Sequence, residues 1–142
     1  MKSGTLKTIA LIGMLLVMTV ASAQAQAGSL IVANIPFDFT AGATKLAAGE
    51  YVVKRVAKNT LLFRSVTEKR SVLIRTAAPI QQSSKDVPER LVFNRYGIEH
   101  FLAQVWTTRT GDGYLLNKSK AETQLGESKL PREAVAVLAK PR

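Results

Sequence analysis

Arg90-Leu91-Val92-Phe93-Asn94-Arg95-Tyr96-Gly97-Ile98-Glu99-His100-Phe101-Leu102-Ala103-Gln104-Val105-Trp106 is the stretch that decides the fold. Two runs rich in aliphatic and aromatic residues flank Tyr96-Gly97, where glycine supplies the positive φ that a tight turn needs. The spacing predicts a β-hairpin of 90–95 against 99–106. With Phe101, Ala103 and Val105 facing a core, strict alternation puts His100, Leu102, Gln104 and Trp106 on the other face. They then lie beside Asn94 and Tyr96 or, in the other register, Arg95.

Working outward, the same pattern recurs. Residues 60–65 and 71–76 are strand-like and flank the charged loop Val66-Thr67-Glu68-Lys69-Arg70, which has hairpin length. Further upstream, Leu30-Ile31-Val32-Ala33 is a short apolar run. In Ile35-Pro36-Phe37-Asp38-Phe39-Thr40 the residues Ile35, Phe37 and Phe39 share one face, and Pro36 marks an edge or a strand start. Residues 41–45 read as a turn, and a bend at Ala48-Gly49 leads into a strand from Glu50 through Val56. The stretch 77–89 holds Pro79, Pro88 and few apolar residues, so it is expected to be the longest mobile loop. Gly111-Asp112-Gly113 reads as a tight turn.

Downstream, Ser119 stands three residues before Glu122, the spacing at which side chains cap a helix start. Ala121 and Leu125 lie one turn apart, and Gly126 is expected to end this short helix. Ala134-Val135-Ala136-Val137-Leu138-Ala139 is β-branched and short, which predicts a final strand. No internal repeat or low-complexity tract divides the chain. The expected fold is all-β: an antiparallel β-sandwich or partly closed barrel of about seven or eight strands with one short helix near the C-terminus.

The first residues set the compartment. Lys2 and Lys7 precede an apolar run from Ile9 to Val20, followed by Ala21-Ser22-Ala23, Ala23-Gln24-Ala25 and Ala25-Gln26-Ala27. A basic end, an apolar segment and small residues at a cleavage site are the parts of a secretory signal peptide. A spanning helix needs roughly 20 apolar residues, and this run is shorter, so residues 1–27 are expected to be removed rather than to anchor the chain. Cleavage between 23 and 28 leaves one domain, 28–142, secreted or periplasmic, without a stable membrane span. The chain has no cysteine, which excludes disulfides, thiolate metal sites and a lipoprotein anchor. Without Lys2 and Lys7 the 20 basic residues become 18 against 10 acids, a net charge of +8. An exported basic domain is drawn to anionic surfaces such as lipid head groups or envelope polymers, and export argues against nucleic acid. Basic side chains also keep strand edges from pairing with neighbours.

Ile35-Pro36-Phe37-Asp38-Phe39-Thr40, Leu46-Ala47-Ala48-Gly49-Glu50-Tyr51, Leu91-Val92-Phe93-Asn94-Arg95-Tyr96-Gly97 and Lys118-Ser119-Lys120-Ala121-Glu122 together resemble a group of uncharacterised small secreted proteins of soil bacteria. The resemblance covers most of the mature chain. In that group the second motif carries proline where this chain has Ala47, which implies a looser turn here. It implies secretion and a β fold, and it transfers no activity.

Catalytic parts are sparse. His100 is the single histidine, and a lone histidine in a strand is usually structural. Metal binding through it lacks partners, and no Gly-x-Ser-x-Gly elbow is present. Asp38, Glu50, Glu99 and Asp112 are the acids a carboxylate-dependent hydrolase would draw on, but nothing in sequence joins any two. The sequence therefore points to a non-enzymatic binding module with no cofactor or metal. Arg64, Lys69, Arg70 and Arg75 on the first hairpin form a basic patch suited to phosphate or carboxylate groups. Trp106 is a candidate stacking platform, or else an ordinary core residue. The alternative is a carrier barrel whose interior, lined by Phe37, Phe39, Phe63, Phe93 and Phe101, holds a small apolar ligand.

Overall fold

The computed structural model describes residues 30–84, 86–108 and 111–142. The expected signal peptide lies outside them. Among these residues eleven strands and one helix follow in the order β1 (Leu30–Ile35), β2 (Phe39–Ala41), β3 (Thr44–Leu46), β4 (Gly49–Ala57), β5 (Thr60–Ser65), β6 (Ser71–Arg75), β7 (Ala78–Gln81), β8 (Arg90–Tyr96), β9 (Glu99–Trp106), β10 (Asp112–Leu115), α1 (Lys120–Glu127) and β11 (Arg132–Pro141). The fold is all-β, and the strands form one curled sheet shaped as a half-barrel.

Its order is β3-β2-β9-β8-β11-β1-β4-β5-β6, with β10 beside β9 and β7 beside β10. The strand count exceeds the seven or eight expected, because the short strands β2, β3, β7 and β10 carry too few residues to show a period. The sheet is also mixed. β2 runs parallel to β9, meeting it at Thr40 and Phe101, where an antiparallel sheet was expected.

Alternation explains the core. Ile31, Ala33 and Ile35 of β1, Tyr51 and Val53 of β4, and Leu61 and Phe63 of β5 all point to the concave side and are buried. Leu91 and Phe93 of β8 and Ala139 of β11 meet them from the other half of the sheet in one continuous cluster. Phe39 and Phe93 meet edge to face at 5.4 Å between ring centroids, a favoured aromatic geometry. Ile35 and Phe39 are buried as expected, while Phe37 is half-buried at the rim.

Three local expectations are corrected. The stretch 77–89 is not a plain loop: it contains β7, which pairs with β10 from Ala78–Leu115 to Gln81–Asp112, and it buries Val87 and Glu89. Asp112 opens β10 rather than sitting in a tight turn, although Gly111 just before it does take φ +89°. Gly126 lies inside α1, which ends at Ser128 instead, where the Ser128 amide and hydroxyl both donate to the Leu125 carbonyl. At the helix start Ser119 Oγ accepts from the Glu122 amide at 3.1 Å, as its spacing predicts.

A fourth correction concerns β9. Phe93 pairs with Leu102 but Val92 pairs with Gln104, so Ala103 is an extra residue, a β-bulge. The bulge reverses the alternation. His100, Leu102 and Val105 face inward, and Phe101, Gln104 and Trp106 face outward, so the four residues expected to share a face are split between the two. Among the described residues no helix is long and apolar enough to cross a membrane.

Candidate functional site

The cations of the first hairpin are divided by the fold. Arg64 stands on the outer face of β5, opposite Val52 of β4 and beside Ser71 of β6. The loop after it is drawn back by two hydrogen bonds at Ser65, whose amide donates to the Arg70 carbonyl at 2.8 Å and whose Oγ accepts from the Glu68 amide at 3.1 Å. Within that tight loop Lys69 takes φ +52°, a conformation uncommon outside glycine and asparagine. This folds Lys69 toward Arg64. The two line a groove of about 290 Å³ together with Arg142, whose amide donates to the Leu30 carbonyl at 3.1 Å and so ties the end of the chain to β1.

Arg70 and Arg75 stand apart from this groove. Arg70 lies near the Tyr51 hydroxyl: burial pushes that pKa above its ordinary value, Glu68 and Asp38 add to the rise, and Arg70 opposes it. Arg75 is at the far end of β6, paired with Thr60. The structure therefore brings two of the four hairpin cations together.

Sequence reasoning missed Arg142, and with it Lys54 and Lys140. The row Lys140, Val32, Val52, Arg64 runs across the outer face of β11, β1, β4 and β5, and the row beside it holds Leu30, Lys54, Leu62 and Leu73. Cations thus lie among the half-buried side chains of Leu30, Val32, Val52 and Leu62 and the exposed Leu73. The signal that could have found them is β alternation in 132–141, but their neighbours are set by the β1–β11 pairing, which no local pattern announces.

Trp106 is not part of this face. Its indole is only 6% exposed, its Nε1 donates to Gln104 Oε1 at 3.1 Å, and the Arg90 guanidinium sits 5.0 Å from the ring centroid. A Cβ built on Gly113 would lie 2.7 Å from Trp106 Cε3. The ring is packed against backbone and is not presented for stacking.

The five phenylalanines named for a carrier do not share a cavity wall. Phe39, Phe63 and Phe93 are fully buried in the core, while Phe101 lies outward against Tyr96 at 6.0 Å. Phe37 stacks on His100 at 3.8 Å. Burial lowers the His100 pKa below its ordinary 6.5, and Arg95 adds to the lowering, while the Ile98 backbone and Glu99 oppose it.

The four acids named for hydrolysis are dispersed. Asp38 accepts from the Ala48 amide at 2.9 Å, Glu50 opposes Asn34, and Glu99 and Asp112 belong to opposite ends of the β9 region. Among the described residues no group of histidines and acids is placed to hold a metal ion.

At the mouth of the half-barrel, Arg55, Lys58 and Tyr114 line a cleft of about 400 Å³, where Arg55 Nη1 donates to the Tyr114 hydroxyl at 3.3 Å. Comparison with protein families, curated proteins and solved structures finds no match for this chain.

Proposed function

We propose that this chain is an exported, non-enzymatic β-domain that binds or structures anionic envelope or extracellular material through the groove of Arg64, Lys69 and Arg142. The observation that carries the reading is the convergence of these three cations on one groove lined by no aspartate or glutamate among the described residues. Two guanidinium groups and an ammonium can satisfy several oxygens of a phosphate or carboxylate at once, and charge-assisted bonds are the stronger kind. The flanking rows of Lys54, Lys140 and half-buried aliphatic side chains extend the contact for a polymer or a lipid head-group layer. The signal-peptide pattern of residues 1–27 supports delivery to the periplasm or beyond.

The test is co-sedimentation of the purified protein with isolated cell-wall and outer-envelope fractions across a salt series. Binding is expected to fall steeply with added salt, and Arg64→Glu combined with Lys69→Glu is expected to abolish it. Arg75→Glu, at the far end of β6, is expected to have a smaller effect. No binding at low salt, or binding indifferent to the paired reversal, overturns the reading.

A further inference from the structure

A second cleft, on the outer side of β8 and β9, has a charge arrangement unlike the basic groove. Its floor is hollow because two of its residues are alanines: Ala134 opposite Asn94 on β11, and the bulged Ala103 of β9. The wall is fixed by the Leu116 amide, which donates to the Ala103 carbonyl at 2.9 Å, and by α1, capped at Ser119. The space is about 500 Å³, within the range of small-molecule sites.

At the helix side Glu122 is only 3% exposed. Its Oε1 accepts from Asn94 Nδ2 at 2.8 Å and from the Tyr96 hydroxyl at 3.4 Å, and no cation of the described residues forms an ion pair with it. A buried carboxylate without a counter-charge is costly. Lys118 and Arg132 line the same cleft, are exposed, and are likewise without an ion pair among the described residues. One cleft thus holds a buried negative charge and two positive ones that do not neutralise each other directly.

We infer that this cleft is a binding site for a small zwitterion, an amino acid or short peptide whose ammonium meets Glu122 and whose carboxylate meets Arg132 and Lys118. Charge decides against the simpler ligands. A lone anion meets repulsion from Glu122, a lone cation meets it from Lys118 and Arg132, and a neutral polyol leaves all three charges unanswered. Asn117 and Gln104 offer amides to the middle of such a ligand. The site is separate from the basic groove, and its fate does not depend on the function proposed above.

The experiment is calorimetric titration of the purified protein with alanylalanine, its N-acetyl derivative, its C-terminal amide and glucose. Saturable one-to-one binding of alanylalanine is expected, with each blocked form weaker by about tenfold or more, the equivalent of one opposed charge contact. Ala134→Leu, at an exposed strand position, fills the hollow and is expected to abolish binding without disturbing the core. Arg132→Ala with Lys118→Ala is expected to erase the preference for a free carboxylate, and Glu122→Gln the preference for a free amine. Should Glu122→Gln fail to fold, the other variants still decide. Absence of alanylalanine binding, equal binding of the blocked forms, or binding unaffected by Ala134→Leu overturns the assignment. Arg64→Glu with Lys69→Glu is expected to leave the titration unchanged.

Discussion

Asn94 and Glu122, 28 positions apart in the chain, are joined by a 2.8 Å hydrogen bond from the Asn94 amide to Glu122 Oε1. The bond fastens the only helix among the described residues to the outer face of β8. Glu122 is buried there, and the Tyr96 hydroxyl approaches the same oxygen at 3.4 Å. Burial, followed by the Glu122 charge, raises the Tyr96 pKa above 10.0, so the phenol stays a donor. Removing a donor from a buried carboxylate is costlier than removing both partners. Asn94→Ala is therefore expected to destabilise the protein by about 1–3 kcal/mol. Asn94→Leu combined with Glu122→Met is expected to cost less than the sum of the single changes. Urea unfolding of the wild type, the three single variants and the double variant checks both statements, and strict additivity would show that the bond contributes nothing.

The helix start depends on one side chain. Ser119 Oγ takes the Glu122 amide at 3.1 Å, and the Ser119 carbonyl accepts from the Thr123 amide at 3.0 Å. Ser119→Ala is expected to cost about 1 kcal/mol, and Ser119→Asp to keep most of the cap. The measurement is the denaturant midpoint of each variant. Equal loss for both substitutions would assign the effect to the backbone rather than to the cap.

Acidification should act through His100, the single histidine. Its ring lies stacked on Phe37 at 3.8 Å with an interplanar angle of 12°, and its Nδ1 is buried without a hydrogen-bond partner. Burial lowers its folded pKa below the ordinary 6.5, so the unfolded chain binds the proton more readily than the folded one. Stability from this group is complete above about 6.5 and is lost as pH falls from there through the lowered folded value. Thermal melts through that window are expected to show a downward step in Tm on acidification, and His100→Phe to flatten it. An unchanged step in the variant would assign it to carboxylates instead.

Much of this was legible locally. The β8–β9 and β5–β6 hairpins, the Ser119 cap and the last strand follow from alternation, turn length and side-chain chemistry within a few residues. What was not legible depends on distant pairing. Ala103 carries no glycine or proline signal, and it is a bulge only because Phe93 and Val92 take Leu102 and Gln104 as partners. That one residue puts His100 and Leu102 on the opposite side of the sheet from Gln104 and Trp106. The strands β7 and β10, four residues each, exist because they pair with each other and with β9. Likewise Arg142 reaches the groove of Arg64 only because β11 lies beside β1 in the sheet. Composition foretold a basic surface, but the membership of the groove is a property of topology.

The packing of Trp106 yields the sharpest structural test. Gly113 faces Trp106 across the β9–β10 ladder, and an added Cβ would lie 2.7 Å from Cε3, 2.9 Å from Cδ2 and 2.9 Å from the Val105 carbonyl oxygen. The ring could shift, but the carbonyl belongs to the strand backbone, so Gly113→Ala must displace β10 from β9. The expected cost is about 1–3 kcal/mol, the range for overpacking a close-fitted site. Because Trp106 is the only tryptophan, its emission should move to longer wavelength as the ring gains solvent in the variant. Gly97→Ala is the control: unlike Gly113, Gly97 takes a positive φ of +63°, and nothing lies within 4 Å of its added Cβ. It should cost only the backbone strain, about 1 kcal/mol, and leave the emission unchanged. A wild-type spectrum in Gly113→Ala would mean that the indole does not rest on this glycine. It would then be free to serve as the stacking surface its position in a β-strand first implied.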